Sequence, residues 1–141
     1  MIKKDKVTIA EILIRGLIVF AFVSVCTLVI FPFAKGVPLK NIPDYKDVVS
    51  VEIYDKRNDK IAALTDSEEI YYAIYCMDFL KTEINSSTCS DDKGFITVII
   101  EDKSGYVTEL SADEKYVYFN GESKVLKNES IFIEAIEKLY L

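Results

Sequence analysis

Cysteines are the most reactive side chains in this sequence, and two of them lie within reach of each other. Cys76 and Cys89 are separated by twelve residues, whereas Cys26 lies in an uncharged stretch near the N-terminus. A segment of that length can fold back on itself, so we predict a possible disulfide between Cys76 and Cys89. In the chain-entropy model this bond would add roughly 3 kcal/mol of stability. The alternative is a buried Cys76 thiol with an incidental Cys89.

The sequence contains no histidine. This removes the usual general base near neutral pH, the Ser-His and Cys-His nucleophile pairs and the commonest transition-metal ligand. The cysteines lack the C-x-x-C spacing of zinc sites, and neither type of glycine-rich phosphate loop is present. We therefore predict a non-enzymatic protein with no catalytic residues, no cofactor and no metal site.

Two short patterns do contain residue types that are found at active sites. Ser90–Lys93 matches S-x-x-K and Lys103–Gly105 is similar to K-[ST]-G, two elements of penicillin-recognising enzymes. That family opens a helix with its serine, whereas Ser90 follows a polar stretch. The acidic pairs Asp91/Asp92 and Asp113/Glu114 lack the spacing of an EF-hand. We interpret both patterns as the polar composition of turns.

A long apolar segment lies near the N-terminus of the 141-residue chain. Residues 16–34 contain no charged side chain. As an α-helix they would span roughly 28 Å, close to the ~30 Å hydrocarbon core of a membrane. We predict a cytoplasmic segment over residues 1–11, followed by a single transmembrane helix over residues 12–34.

Charge is distributed unevenly along the chain and sets the expected orientation. Before Gly16 there are four basic and two acidic residues, whereas from Lys35 onward there are 13 basic and 21 acidic residues. The positive-inside bias places the N-terminus in the cytoplasm and the C-terminal region outside the cell membrane. The acidic C-terminal region argues against a nucleic-acid partner and against tight docking on an anionic lipid surface. The sequence identifies no small-molecule ligand.

A cleavable leader is one alternative interpretation of the apolar segment. A secretory signal peptide has an apolar core of about 7–15 residues followed by small residues. The run here is longer and ends in Pro32-Phe33-Ala34. A lipoprotein signal would use Cys26, but Val25 stands where a small residue is expected. We favour the uncleaved helix, with Cys26 as a small apolar residue in the membrane.

An assembly helix is the other alternative. Val7–Ile14 resembles the start of type IV pilins and pseudopilins, in which Thr, two apolar residues and Glu open a hydrophobic helix behind a basic leader. The resemblance implies that Glu11 pairs with the N-terminus of a neighbouring subunit in an envelope assembly. The leader in that family ends in Gly, where this chain has Lys6, and Arg15 interrupts the apolar run. A pseudopilin-like subunit therefore stays open as the alternative to a simple anchor.

The region after the helix is patterned as one domain of ordinary size. Residues 35–47, with three Lys and two Pro, are predicted to be a linker, and residues 48–141 an extracytoplasmic domain. Val49, Val51 and Ile53 alternate with polar residues, as in a half-buried strand. The element order read along the domain is β-β-α-β-β-β-β-α, with a polar loop over residues 81–93. Short turns between the strands favour an α+β fold, a small antiparallel sheet with two packed helices.

The first helix of the domain is apolar on two faces. Ile70, Ala73 and Met77 share the face that we assign to the core, whereas Tyr72, Tyr75 and Phe79 fall nearly opposite. A helix that covers a small sheet needs only one apolar stripe, so the second stripe is a candidate interaction face for a protein partner. The alternative is that residues 81–93 or the sheet edge cover these aromatics.

The domain also resembles small domains of unknown function on membrane-anchored proteins and lipoproteins of low-GC Gram-positive bacteria. The resemblance covers residues 48–141 and rests on the V-S-V-E-I-Y opening, the L-T-D-S-E-E-I helix start and the closing E-A-I-E-K-L-Y-L. It implies an extracytoplasmic module without assigned catalytic residues. We therefore expect a membrane-tethered, non-enzymatic binding or sensing module. A pseudopilin-like subunit is the first alternative, and an enzyme the second.

Overall fold

A computed structural model describes residues 8–84, 88–89, 93–127 and 131–140 of the chain, and the side chains of Pro32, Thr88 and Cys89 lie outside this description. The chain divides into two compact units, Met1–Ala34 and Lys35–Leu141.

The N-terminal unit is helical. Helix α1 covers Ile9–Val25, a π-helical turn covers Cys26–Ile30, and helix α2 covers Phe31–Lys35. Together they form one helix, Ile9–Lys35, that is long and apolar enough to cross a membrane. Every large hydrophobic side chain along it is more than half exposed. The predicted N-terminal apolar helix is confirmed, and it extends to Lys35 rather than ending at Ala34.

The π-helical turn has a cause in the sequence. Proline has no N–H, so Pro32 cannot donate a hydrogen bond to the carbonyl group of Leu28, four residues before it. A local widening of the helix accommodates the missing bond, and π-turns commonly do this inside α-helices. Accordingly, the Phe31 N–H donates to the Cys26 carbonyl, five residues back instead of four. The helix therefore passes through Pro32 without ending there.

The second unit is built on an antiparallel sheet. In the described residues its strands are β1 Val37–Pro38, β2 Val48–Asp55, β3 Lys60–Leu64, β4 Lys81–Thr82, β5 Thr88–Cys89, β6 Ile96–Asp102, β7 Val107–Ala112, β8 Tyr116–Phe119 and β9 Glu122–Val125. Seven of them form one sheet in the order β3-β2-β6-β7-β8-β9-β5, and β1 pairs with β4 separately. Every pairing is antiparallel, and for strands that follow each other through a short turn this direction is required.

Two helices complete the fold, α3 Ser67–Met77 and α4 Ile131–Glu137. The Asp66 carboxylate begins α3 by accepting the Glu68 N–H at 2.9 Å. Both helices contribute to one core cluster with the sheet, through residues such as Ala73 on α3 and Phe132 on α4. The predicted α+β class, an antiparallel sheet with two helices, is confirmed.

One strand face differs from the prediction. The alternation predicted that Val49 faces the core with Val51 and Ile53, but Val49 is 49% exposed and Val48 is buried. A register shift between Val48 and Ser50 in the pairing of β2 with β6 is the cause, because one extra residue reverses which side chains point inward.

Two segments expected to lack structure carry short strands. Residues 35–47, predicted as a linker, contain β1 and a 3₁₀ turn over Tyr45–Asp47, and Leu39 and Ile42 pack against the core. The expected polar loop over residues 81–93 contains β4 and β5. Strands of two residues are too short to show a period-two pattern, so their sequence gave no sign of them.

Candidate interaction surface

Five aromatic rings form one continuous surface, which we call the aromatic face. Four of its members lie on and just after α3, and the fifth comes from the 3₁₀ turn before β2; they are Tyr45, Tyr71, Tyr72, Tyr75 and Phe79. The Tyr71 ring lies at the centre. It meets Tyr45 edge-to-face with centroids 5.0 Å apart and stacks on Tyr75 at 6.2 Å. These offset and edge-to-face arrangements are the ones that aromatic rings favour.

The remaining contacts extend this surface along the helix. Tyr72 lies 5.7 Å from Tyr71, and Phe79 meets Tyr75 edge-to-face, also at 5.7 Å. Tyr72 and Tyr75 are 57% and 50% exposed, and Phe79 is half-buried. The predicted interaction residues thus lie together, and the two tyrosines reach solvent.

Two members of the face were missed by the sequence reasoning. Tyr71, Tyr75 and Phe79 recur at every fourth residue and so lie along one ridge of the helix. That spacing was a visible signal for Tyr71. Tyr45 gave no such signal, because its contact with Tyr71 depends on how the segment before β2 packs.

The aromatic face borders a groove between α3 and α4. The groove has a volume of about 530 Å³ and is lined from α3 by Tyr72, Tyr75, Cys76 and Phe79, and from the α4 side by Ile131, Glu134, Ala135, Lys138 and Leu139. Ile131 is 42% exposed at its rim. Its walls are therefore mostly apolar, with few polar groups, as in surfaces that bind apolar side chains of a partner.

Carboxylates surround the aromatic face. Glu68 lies one turn before Tyr71 and Tyr72, Asp78 lies one turn after Tyr75, and Glu134 lines the groove from the other helix; all three are exposed. Within the described part of the chain none of these carboxylates forms an ion pair. Lys138 lines the same groove, and Lys46 lies 5.8 Å from the centre of the Tyr45 ring. The surface therefore combines apolar rings with three carboxylates and two lysines.

Cys76 lies at the bottom of this groove. Its side chain is 6% exposed, and burial raises the pKa of its thiol against the opposing effect of the Lys138 charge. A protonated, buried thiol is a poor nucleophile. The Cys89 side chain lies outside the described residues, so the disulfide stays a prediction.

A buried carboxylate at the end of β2 is the strongest electrostatic feature of the domain. The Asp55 side chain is fully buried. Its carboxylate accepts hydrogen bonds from the Arg57 backbone at 2.9 Å and from the Arg57 guanidinium at 3.2 and 3.1 Å. It also accepts from Asn58 and from the Tyr140 hydroxyl, each at 2.9 Å.

These donors control the ionisation of the group. Burial alone would raise the pKa of Asp55, but the hydrogen bonds from Arg57, Tyr140 and Asn58 outweigh it and lower the pKa to about 2. Burial and the hydrogen bond to Asp55 raise the pKa of Tyr140. Arg57 also donates to Glu137 at 2.5 Å and lies 4.0 Å above the Phe95 ring. The contacts of Arg57 and Asp55 with Glu137 and Tyr140 join the β2–β3 hairpin to the C-terminal helix and the turn after it. Because protein donors satisfy both Asp55 oxygens, neither oxygen is left to bind a substrate.

Comparison with protein-family models, with curated proteins and with solved structures was made on the whole chain. No match was found. What the aromatic face binds is therefore inferred from its own residues.

Other residues singled out in the sequence have local roles. The Thr8 N–H donates to the Glu11 carboxylate at 3.0 Å at the start of α1. Asp113 accepts the backbone N–H groups of Lys115 and Tyr116, each at 2.7 Å, and so closes the turn before β8. Lys93 pairs with Glu109. Ser90 and the pair Asp91/Asp92 lie outside the described residues, and the described residues contain no cluster of potential metal ligands.

Proposed function

We propose that this chain is a single-pass membrane protein whose extracytoplasmic domain is a non-enzymatic binding module, and that its aromatic face binds a segment of a partner protein. The observation that carries the proposal is the continuous set of five rings, four of them exposed, beside an apolar groove. Aromatic side chains left in water are unfavourable unless a partner covers them, and such residues supply most of the binding energy at protein interfaces.

The membrane part of the proposal is supported by the apolar helix and the charge distribution. Ile9–Lys35 has the length and composition of a span. The basic residues that precede Gly16 favour a cytoplasmic N-terminus, since four of them lie on that side against three lysines in residues 35–47. The domain would therefore lie on the extracytoplasmic side of the cell membrane.

The charges around the aromatic face define the chemistry of the partner. Around the rings the carboxylates Glu68, Asp78 and Glu134 outnumber the lysines Lys46 and Lys138, and the domain as a whole is acidic. A segment that presents apolar side chains with lysine or arginine beside them fits this surface best, because opposite charge steers association and aromatic rings attract cations.

The pseudopilin alternative receives no support from the N-terminal geometry. In the described part of the helix, the Glu11 carboxylate already accepts the Thr8 N–H within its own chain. A cleaved leader with a free Val7 N-terminus would favour that alternative, and an intact N-terminus measured by mass spectrometry would favour the anchor.

Photo-crosslinking in membranes tests the proposed surface. A benzoylphenylalanine residue at position 72 or 75 should give one discrete adduct, whereas the same residue at position 106 should not, although Tyr106 is 66% exposed. The crosslinked peptide should carry apolar and basic side chains. Replacing Phe79 by Ala should reduce the adduct at position 72 about thirtyfold, the effect of removing a hot-spot side chain worth about 2 kcal/mol.

The same experiment has outcomes that contradict the proposal. Equal adducts at positions 72 and 106 would show nonspecific contact. An adduct with the mass of two chains would make the face a self-interface, and an acidic crosslinked peptide would contradict the charge argument. Urea unfolding of the Phe79→Ala variant, with a matched Tyr106→Ser variant, distinguishes loss of contact from loss of folding.

A further inference from the structure

Five lysines lie where the chain leaves the apolar helix, and we call them the exit lysines: Lys35, Lys40, Lys81, Lys124 and Lys127. Lys35 is the last residue of α2, and Gly36 follows it. A Cβ atom placed on Gly36 would lie 3.0 Å from the Cβ atoms of both Lys81 and Lys127. Consecutive Cα atoms are about 3.8 Å apart. The side chains of Lys81 and Lys127 therefore begin within about two such spacings of Lys35, the last residue of the helix.

The backbone holds these lysines in place. Val37 pairs with Thr82 and Pro38 with Lys81, and the Thr82 hydroxyl donates to the Val37 carbonyl at 3.2 Å. The Lys127 N–H donates to the Lys81 carbonyl at 2.7 Å. Gly36 has φ +78° and has no room for a side chain, which allows the two lysine-bearing segments to close against it.

The remaining two lysines line a cleft beside the same strands. This cleft, of about 380 Å³, is formed by residues 37–41 of the exit segment, Thr82 of β4 and the β8–β9 hairpin, and it includes Lys40 and Lys124. Glu122 also lines it and lies 3.6 Å from Lys124, and Glu83 follows Thr82 along the chain. Among the described residues of this cleft and of the exit strands, five lysines lie near two carboxylates, so the local charge is positive whereas the domain as a whole is negative.

We infer that the exit lysines bind the head groups of anionic phospholipids and hold this end of the domain on the membrane surface. The inference rests on the proposed function, because only a membrane-spanning helix brings Gly36 to the level of the head groups. Each lysine near an anionic surface contributes about 1 kcal/mol, or about fivefold in the ratio of docked to undocked domain. The overall negative charge argued against lipid docking, but the structure places the basic residues together at the helix end.

Lysine acylation of the full chain in nanodiscs tests this inference. Discs of phosphatidylcholine alone are compared with discs that also contain phosphatidylglycerol, at single-hit reagent levels, with peptide mass spectrometry as the readout. The exit lysines should react severalfold more slowly in the anionic discs. Lys60 and Lys103, which are exposed on strands or turns elsewhere in the sheet, should react equally in both. The difference should vanish at about 1 M salt, where the Debye length is about 3 Å.

A pair of variants separates lipid contact from simple burial. Lys81→Gln together with Lys127→Gln should raise acylation of Lys40 and Lys124 in the anionic discs towards the value in neutral discs. The matched double variant Lys60→Gln with Lys103→Gln should leave their protection unchanged. Urea unfolding of both double variants checks that the domain is folded.

Several results would overturn the inference. Equal acylation in the two kinds of disc would show that anionic lipid is not bound, while retention of the protein in the discs would leave the anchor intact. Failure of the chain to stay in any disc after an alkaline wash would overturn the proposed span itself, and the lipid inference with it. Equal protection in detergent with inorganic phosphate would identify a soluble anion as the ligand.

Discussion

Replacing Asp55 by Asn tests the buried cluster that joins the β2–β3 hairpin to the C-terminal helix. Asparagine keeps the shape of the side chain but removes its charge and turns an NH₂ group towards donors from Arg57, Asn58 and Tyr140. Breaking a buried ion pair by changing one partner costs about 3–5 kcal/mol. Arg57 keeps its contact with Glu137 in the variant, so we expect the lower end of this range, about 3 kcal/mol.

The pH dependence gives a second, independent magnitude. The folded pKa of Asp55 is about 2, below the unfolded value of about 3.9. Its contribution is therefore fully present above the unfolded pKa and is lost as pH falls through the folded pKa. At 1.36 kcal/mol per pKa unit, this amounts to about 2–3 kcal/mol between about pH 5 and pH 2. The stability difference between wild type and Asp55→Asn should shrink over that interval.

The assay is urea unfolding of the full chain in detergent micelles, followed by tyrosine fluorescence because the sequence has nine tyrosines and no tryptophan. Asp59→Asn is the matched control, since it makes the same chemical change in the same hairpin at an exposed residue whose positive φ asparagine tolerates. A loss below about 0.5 kcal/mol for Asp55→Asn, or a difference that does not change with pH, would refute the reasoning.

Two further predictions concern steric and chemical properties of the domain. Gly94→Ala would place a Cβ atom 2.1 Å from the Ala112 backbone, so we expect the free energy of unfolding in urea to fall by about 3 kcal/mol or more. Gly105 has open space around it but φ +81°, so Gly105→Ala should lower the free energy of unfolding by only about 1–2 kcal/mol. Equal losses in the two variants would contradict the steric explanation. In the reduced, folded protein the Cys76 thiol should react with N-ethylmaleimide about a hundredfold more slowly than in urea, because it is buried and its pKa is raised; rapid labelling of the native state would show that the thiol is accessible.

The elements with regular patterns could be predicted from sequence, and the contacts between distant residues could not. The apolar run of residues 16–34, the alternation in β2 and the Asp66 cap each depend on near neighbours, and each produced the expected type of element. Asp55 alternates with the core residues of β2, but its donor Tyr140 comes from the opposite end of the chain. Without that partner the sequence gives no reason to bury a carboxylate there.

The candidate surfaces show the same division. Tyr72, Tyr75 and Phe79 share a helix face, so helical spacing was enough to group them. Tyr45 joins them only through tertiary packing, and the exit lysines are brought together by β1 and β4, strands of two residues each. Charge counted along the chain therefore described the domain as acidic, although five of its thirteen basic residues lie near one another.

The pairing of β1 with β4 also shortens the segment that joins the apolar helix to the seven-stranded sheet. Residues 36–47 are held against the domain by the two-residue strands β1 and β4, by a 3₁₀ turn, and by the packing of Leu39 and Ile42 on the core. Fully extended, these residues would reach roughly 40 Å. A force applied along the helix would reach the β1–β4 pair first, because β1 is the first strand after the helix, and this pair spans only two residues on each strand. In the proposed membrane arrangement, mechanical tension would therefore lengthen this connecting segment before it unfolded the seven-stranded sheet, and the aromatic face would reach partners farther from the bilayer.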